Sequence, residues 1–440
     1  MNATALLAEF IADTNYKDLP PETVAAAKVA IMDGVANMVA GSAQGLSSII
    51  GEYVKELGGA PKASVIGWGF KTNAPSAAFA NGVFGHCLDF EIQGFPPTHG
   101  TSSCLPSALA LGESLQVNGE VIITAYVLGW EIQGRLREAS AHATNPAYHP
   151  PGLVGPLGGA AASAKVLGLN TDQVHMALGI AASRTGGLTA NTGTMVKSTH
   201  PGNSARMGAE AAMLAEIGYT STENILETPR GYADALFQGD MHWDVVSQGL
   251  GDSYRLVDPG FNIKRFPAQI HMQNPAEAVL NLREKHGLSL DKIQSLHIYT
   301  DSRGHSGSLP RSGLDGKFSL EYCTAAALLD GKVNITTFTD ERRFAPDMEE
   351  MLTKVQVDTD APATDQTVAT ATLHDGSTVS ETCSGYTGAA SQPMNREQLF
   401  DKVRDCVCLV HNEVDSEKLI QQLDTLEQIE DVATLMGSLR

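Results

Sequence analysis

Four segments of this 440-residue chain gather side chains able to move protons or to hold carboxylates. The first runs from His86 through Asp89, Glu91 and Gln93 to Pro96, Pro97 and His99. Two carboxylates precede a histidine there, and a carboxylate can orient an imidazole and fix its tautomer. Asp89 and Gln93 are four residues apart and share a face if the preceding helix continues. The plainer roles are a helix-end cap for Asp89 and a backbone-satisfied loop histidine for His99. The second segment sets Tyr148 and His149 before Pro150, Pro151 and a glycine-rich stretch to Gly159. A glycine-rich turn feeding a helix N-terminus can receive an anion, although close helix packing is the simpler use of these glycines.

The third segment, Asn191 to Arg206, is polar and glycine-rich between apolar stretches. Lys197 and His200 lie three residues apart, and Arg206 falls inside a helix expected to start near Asn203 or Ser204. In a chain poor in Lys and Arg, such a cluster invites a carboxylate ligand; a solvated loop is the alternative. The fourth segment carries Lys264, Arg265, Gln269 and His271 at an expected domain boundary. Clefts between domains favour ligands, and a basic linker is the bland reading.

Other chemistries lack their signatures. There is no H-E-x-x-H, no spaced Cys/His set and no EF-hand loop, so no metal is expected. Neither G-x-G-x-x-G nor a P-loop is present, which argues against a nucleotide, and no G-x-S-x-G elbow occurs.

The elements that must position these residues divide the chain. The first ~260 residues read as Ala- and Gly-rich helices at Glu22–Val39 (closed by Gly41), Ser47–Leu57, Ala74–Leu88, Ser103–Leu115, Glu120–Glu138, Ala160–Leu167, Thr171–Ala182 and Ser204–Glu216. Small residues would let these helices pack closely. Composition then changes. Lys292–Thr300 alternates like a half-buried strand, and Val368–Leu373 and Thr378–Cys383 flank the hairpin signal Asp375-Gly376. Met351–Val357 is a further strand candidate and Glu321–Leu329 a helix. Asn395–Leu439 returns to helical patterning and should pack back on the first region. The expected fold is therefore mainly α: a large all-helical domain from 1–261 and 392–440, with a smaller inserted α+β domain over 262–391.

The chain is 42% hydrophobic and 18% charged, enough apolar content for a sizeable core and not a disordered composition. Its net charge of -20 argues against a nucleic-acid or membrane-surface partner. Six cysteines are no disulfide scaffold, and we expect reduced thiols in a cytoplasm. Glu9 inside the first apolar stretch argues against a signal peptide. The apolar runs read as broken by Gly, Ser or charge short of the ~20 residues a spanning helix needs, so a soluble protein is expected.

These segments, in this order, resemble the MmgE/PrpD family, which includes 2-methylcitrate dehydratase, cis-aconitate decarboxylase and iminodisuccinate epimerase. The resemblance rests on LDFE with a histidine ten residues after the Asp (Asp89, His99), HPPGLVGPLGGAAASAKVLGL from His149, and GTMVKSTHPGNSARMG around Lys197 and His200. KRFPAQIHMQ from Lys264 and KFSLEYCTAAALLDG from Lys317 complete it. It implies that the inserted domain is a lid, and that the protein is a homodimer working without metal or organic cofactor on a small anionic carboxylate. Matched position by position, it implies site residues Asp89, His99, His149, Lys197 and Lys264, with His200 in the lysine motif. Where animal cis-aconitate decarboxylases have Thr, this chain has Gln93, and where they have His it has Gln269. His271 follows two residues later, a pattern more similar to the methylcitrate dehydratases.

Proton abstraction beside a carboxylate builds charge on that carboxylate, and cations stabilise it. Lys197, His200 and Lys264 suit that role, with Arg265 as an addition. A neutral imidazole, His99 or His149, suits the base. Asp89 would orient His99 or act as the base itself, and Tyr148 is a candidate second acid for an epimerase. The constellation therefore leads to a cofactor-free lyase, with an epimerase of a small dicarboxylate or a non-catalytic carboxylate-binding protein as the alternatives.

Overall fold

The structure is a computed structural model and describes residues 2–302, 307–361 and 366–440. It divides into two compact units. The first comprises Met1–Cys87, Glu91–Asn262 and Asn395–Arg440, the second Leu88–Phe90 and Ile263–Met394.

The first unit is built of helices: α1 (Ala3–Asp13), α2 (Pro21–Ser42), α3 (Gly45–Leu57), α4 (Ala74–Cys87), α5 (Thr101–Leu115), α6 (Gly119–Ala139), α7 (Pro150–Leu167), α8 (Thr171–Ala182), α9 (Val196–Glu216), α10 (Tyr232–Phe237) and α11 (Trp243–Ser247). Two short antiparallel pairs accompany them: β1 (Ala63–Val65) with β2 (Phe70–Thr72), and β3 (Gln93–Gly94) with β4 (Phe261–Asn262). Three helices from the chain end, Arg396–Val407, Glu413–Asp424 and Val432–Ser438, belong to this unit. The Lys402 ammonium reaches the fully buried Asp33 carboxylate of α2 at 2.6 Å. Burial pushes the Asp33 carboxyl up, and Lys402 opposes that shift. By length and composition α2 is apolar enough to cross a membrane, contrary to the expectation that no run is long enough. Most of it is buried, and Asp33 at its middle carries this ion pair.

Glycines let the central helices touch backbone to backbone. A Cβ on Gly82 of α4 would lie 2.8 Å from the Gly202 Cα of α9. One on Gly208 of α9 would lie 2.3 Å from the Gly159 carbonyl carbon of α7, and one on Gly129 of α6 would lie 2.8 Å from the Gly158 oxygen. These contacts explain two departures from the sequence reading. The stretch from Pro150 to Gly159 is not a turn before a helix: it is the first half of α7, with both prolines in its opening positions, where their missing N–H groups cost nothing. Local glycine propensity disfavours a helix there, and packing overrides it. Likewise α9 begins at Val196, not near Ser204, so Lys197 and His200 are helical residues, and Pro201 lies inside the helix. Helix α2 also continues past Gly41 to Ser42, and α4 ends at Cys87, so Asp89 and Gln93 share no helix face.

The second unit is an α+β body. Strands β5 (Ile293–Thr300), β6 (Val355–Asp358), β7 (Gln366–Leu373) and β8 (Thr378–Ser384) form one sheet in the order β6-β5-β7-β8. β5 and β6 run parallel and the other neighbours antiparallel. Alternation along β5 buries Ile293, Leu296 and Ile298, which join a core with residues of α12 (Gln273–His286) and helix Leu320–Asp330. The expected strand Met351–Val357 is instead the end of helix Pro346–Lys354 followed by β6.

Gly208→Ala should lower the unfolding free energy by about 2 kcal/mol, as overpacking against rigid backbone does. Gly45→Ala, whose Cβ meets nothing within 4 Å, should change it little. Chemical denaturation of both variants checks the contrast.

Candidate active site

Within the first unit, four imidazoles converge. His86 stands in the last turn of α4, His99 just before α5, His149 immediately before α7 and His200 in α9. All four are buried. Ring centroids are 4.5 Å apart for His86 and His99, 6.2 Å for His99 and His149, and 5.2 Å for His149 and His200. The Nδ1 atoms of His149 and His200 lie 3.1 Å apart, so one donates to the other. His149 is held extended by the proline that follows it, and its N–H donates to the Gly187 carbonyl. Gly187 has φ +120, and a Cβ there would press on the His200 ring at 3.0 Å.

The carboxylate facing this cluster from the same unit is Glu91, which sequence reasoning passed over. Its Oε1 accepts from His86 Nδ1 at 2.7 Å and lies 3.5 Å from His99 Nδ1. Glu91 also accepts the Ser102 hydroxyl at 2.6 Å and the Ser102 N–H at 2.8 Å, in the first turn of α5. A helix N-terminus offers unpaired N–H groups and a positive dipole end, which is why a buried anion is stable there. One residue on, the Ile92 N–H donates to Asp33, which anchors the stretch after Glu91. His86 was equally absent from the expected site. The available signal was the five-residue spacing from His86 to Glu91, meaningful only once α4 is known to stop at Cys87.

Lys197 lies one turn before His200 in α9 and is half-buried. The His200 pKa is lowered, first by burial and then by the Lys197 charge. Tyr148 is half-buried, bridges Leu188 and packs on the helical core. Gln93 is buried in β3 opposite Asn262. The ring nitrogens of His86, His99 and His149 lie within 4.8 Å of one another, close enough to share one cation. That geometry was not visible in the sequence motifs.

In the second unit, Asp89 and Lys264 form an ion pair, and the Lys264 ammonium also donates to the Asp89 carbonyl oxygen at 2.8 Å. Both side chains are buried, and Asp89 takes a left-handed backbone conformation, φ +52. Arg265 is exposed and pairs with Glu277 at 3.0 Å, so its charge is already matched. The Gln269 N–H donates to the Lys317 carbonyl, and His271 lies half-buried in the short 3-10 turn Ile270–Met272.

The family model described as the MmgE/PrpD N-terminal domain matches residues 5–244, and that of the MmgE/PrpD C-terminal domain matches residues 266–428. The chain belongs to the MmgE/PrpD family. Among its relatives, the mouse (Mus musculus) cis-aconitate decarboxylase is 31% identical over 395 residues, 85% of this chain and 80% of that protein. The cis-aconitate decarboxylase of Aspergillus terreus is 27% identical over 457 residues, 96% of this chain and 93% of its own. The probable 2-methylcitrate dehydratase of Saccharomyces cerevisiae is 28% identical over 206 residues, 43% of this chain and 39% of its own. In this MmgE/PrpD chain a carboxylate holds one of the buried imidazoles, and a lysine lies one turn before another.

Glu91→Gln should preserve the fold and release the tautomer of His86. In 15N NMR of the imidazoles, the His86 Nδ1 signal should move from the protonated position toward a tautomer average. An unchanged His86 signal would remove Glu91 from this role.

Proposed function

We propose that this chain is a lyase that abstracts a proton next to a carboxylate of a small di- or tricarboxylate, and that it needs neither a metal nor an organic cofactor. The observation that carries the reading is the buried cluster of His86, His99, His149 and His200, with Glu91 set against His86 and His99. His99 or His149 takes the proton as a neutral imidazole. The electron pair left on carbon delocalises into the adjacent carboxylate, where the Lys197 ammonium stabilises it; His200, whose pKa burial and Lys197 lower, can contribute a hydrogen bond and not a charge. Expulsion of hydroxide, protonated as it leaves, gives dehydration. In a decarboxylase no proton is removed first: the carbon–carbon bond breaks to release CO2, and the carbanion so formed takes a proton from His99 or His149, which then starts the cycle as an imidazolium. The relatives' names support both outcomes, and the longer coverage by cis-aconitate decarboxylases supports including cis-aconitate among the acids tested.

The family resemblance supports Asp89 and Lys264 as further site residues. A cytoplasmic homodimer belongs to the same reading.

The test offers citrate-, aconitate- and aspartate-like acids to the enzyme in deuterated water and follows deuterium incorporation and product mass. At least one acid should exchange or react, and full activity should survive dialysis against a chelator. Lys197→Ala should lower kcat/KM about 100-fold, the usual effect of removing one charge-stabilising donor. His99→Gln should cost about 100-fold or more. Failure of every acid both to exchange a proton and to react, or full turnover by Lys197→Ala, contradicts the reading.

A further inference from the structure

A second histidine cluster lies on the surface of the first unit. His142 follows the end of α6, and Asp240 and His242 flank Met241 in the turn before α11. The two imidazoles stack with centroids 3.9 Å apart and planes 15° from parallel, so these exposed rings must rotate out of the stack before their in-plane lone pairs meet at one ion. His142 Nε2 lies 3.1 Å from Asp240 Oδ1. The ligand atoms of the three side chains lie within 4.8 Å of one another, and all three residues are exposed.

The backbone around them is pinned. The His242 N–H donates to the Ala139 carbonyl at the end of α6. Met241 between the two ligands is buried in the helical core, together with Phe237 and Ala139. The turn carrying His142 is closed by N–H bonds from Ala141 to Glu138 and from Ala143 to Ser140, and by the Thr144 hydroxyl to the Ser140 carbonyl. Three ligand side chains thus project from two turns whose separation is already fixed.

We propose that His142, Asp240 and His242 bind one divalent transition-metal ion, of which Zn2+ is the best chemical match. Two imidazoles and one carboxylate suit a borderline ion, whereas Ca2+ and Mg2+ prefer all-oxygen sets. A three-ligand set leaves the fourth tetrahedral position to water. The net charge of -20 favours cation approach. The ion would fasten the end of α6 to the turn before α11 and has no part in the proposed reaction.

The test is calorimetric titration of the untagged, full-length chain with Zn2+ alone. Wild type should bind one ion at this site and melt at a higher temperature with Zn2+ than without. His142→Ala combined with His242→Ala should weaken binding about 100-fold and abolish the thermal shift, and Asp240→Asn should weaken it about tenfold. Because all three positions are exposed, melting of the metal-free variants should match wild type. His99→Ala serves as the control for the buried imidazoles and should leave the affinity unchanged. No Zn2+ binding by wild type, binding unaffected by the double substitution, or binding lost in His99→Ala would each overturn the proposal.

Discussion

The first unit depends on how closely its central helices approach. Ordinary side chains would hold α4, α6, α7 and α9 apart; glycine at Gly82, Gly129, Gly159 and Gly208 brings backbone against backbone. That contact has a steep distance dependence, because a Cβ at these positions would meet atoms that cannot rotate away. The same helices carry His86, Lys197 and His200, and His149 stands immediately before α7. A small-residue seam in the core is therefore also what sets the spacing of the imidazoles.

Packing alone would leave the cluster electrostatically costly, since buried polar groups need partners. Glu91 supplies one answer: it takes two hydrogen bonds from Ser102 at the start of α5 and one from His86. The His149–His200 contact supplies another, letting one imidazole satisfy the next. Burial and the Lys197 charge both favour a neutral His200. A neutral imidazole beside a lysine cation is a combination that can remove a proton and stabilise the charge that results.

Much of this was legible in the chain. Helical periodicity announced most helices of the first unit, and the Asp375-Gly376 turn announced the β7–β8 hairpin. His99, His149, Lys197 and His200 stood out as chemistry-bearing residue types near turn signals. Two things were hidden. The glycine-rich openings of α7 and α9 looked like loops because local propensity ignores a partner helix that only glycine can admit. Glu91 and His86 looked ordinary, since their pairing depends on α4 stopping at Cys87 and on α5 presenting its N-terminus. Asp89 drew the attention instead; in the structure it sits at positive φ and pairs with Lys264.

We propose that the buried imidazoles and Lys197 receive a carboxylate substrate. A crystal structure with tricarballylate, a tricarboxylate lacking both hydroxyl and double bond, tests it most directly. One ligand carboxylate should lie at hydrogen-bond distance, about 3 Å, from the Lys197 ammonium, with the carbon chain beside His99 and His149. Tricarballylate bound away from these residues would contradict it.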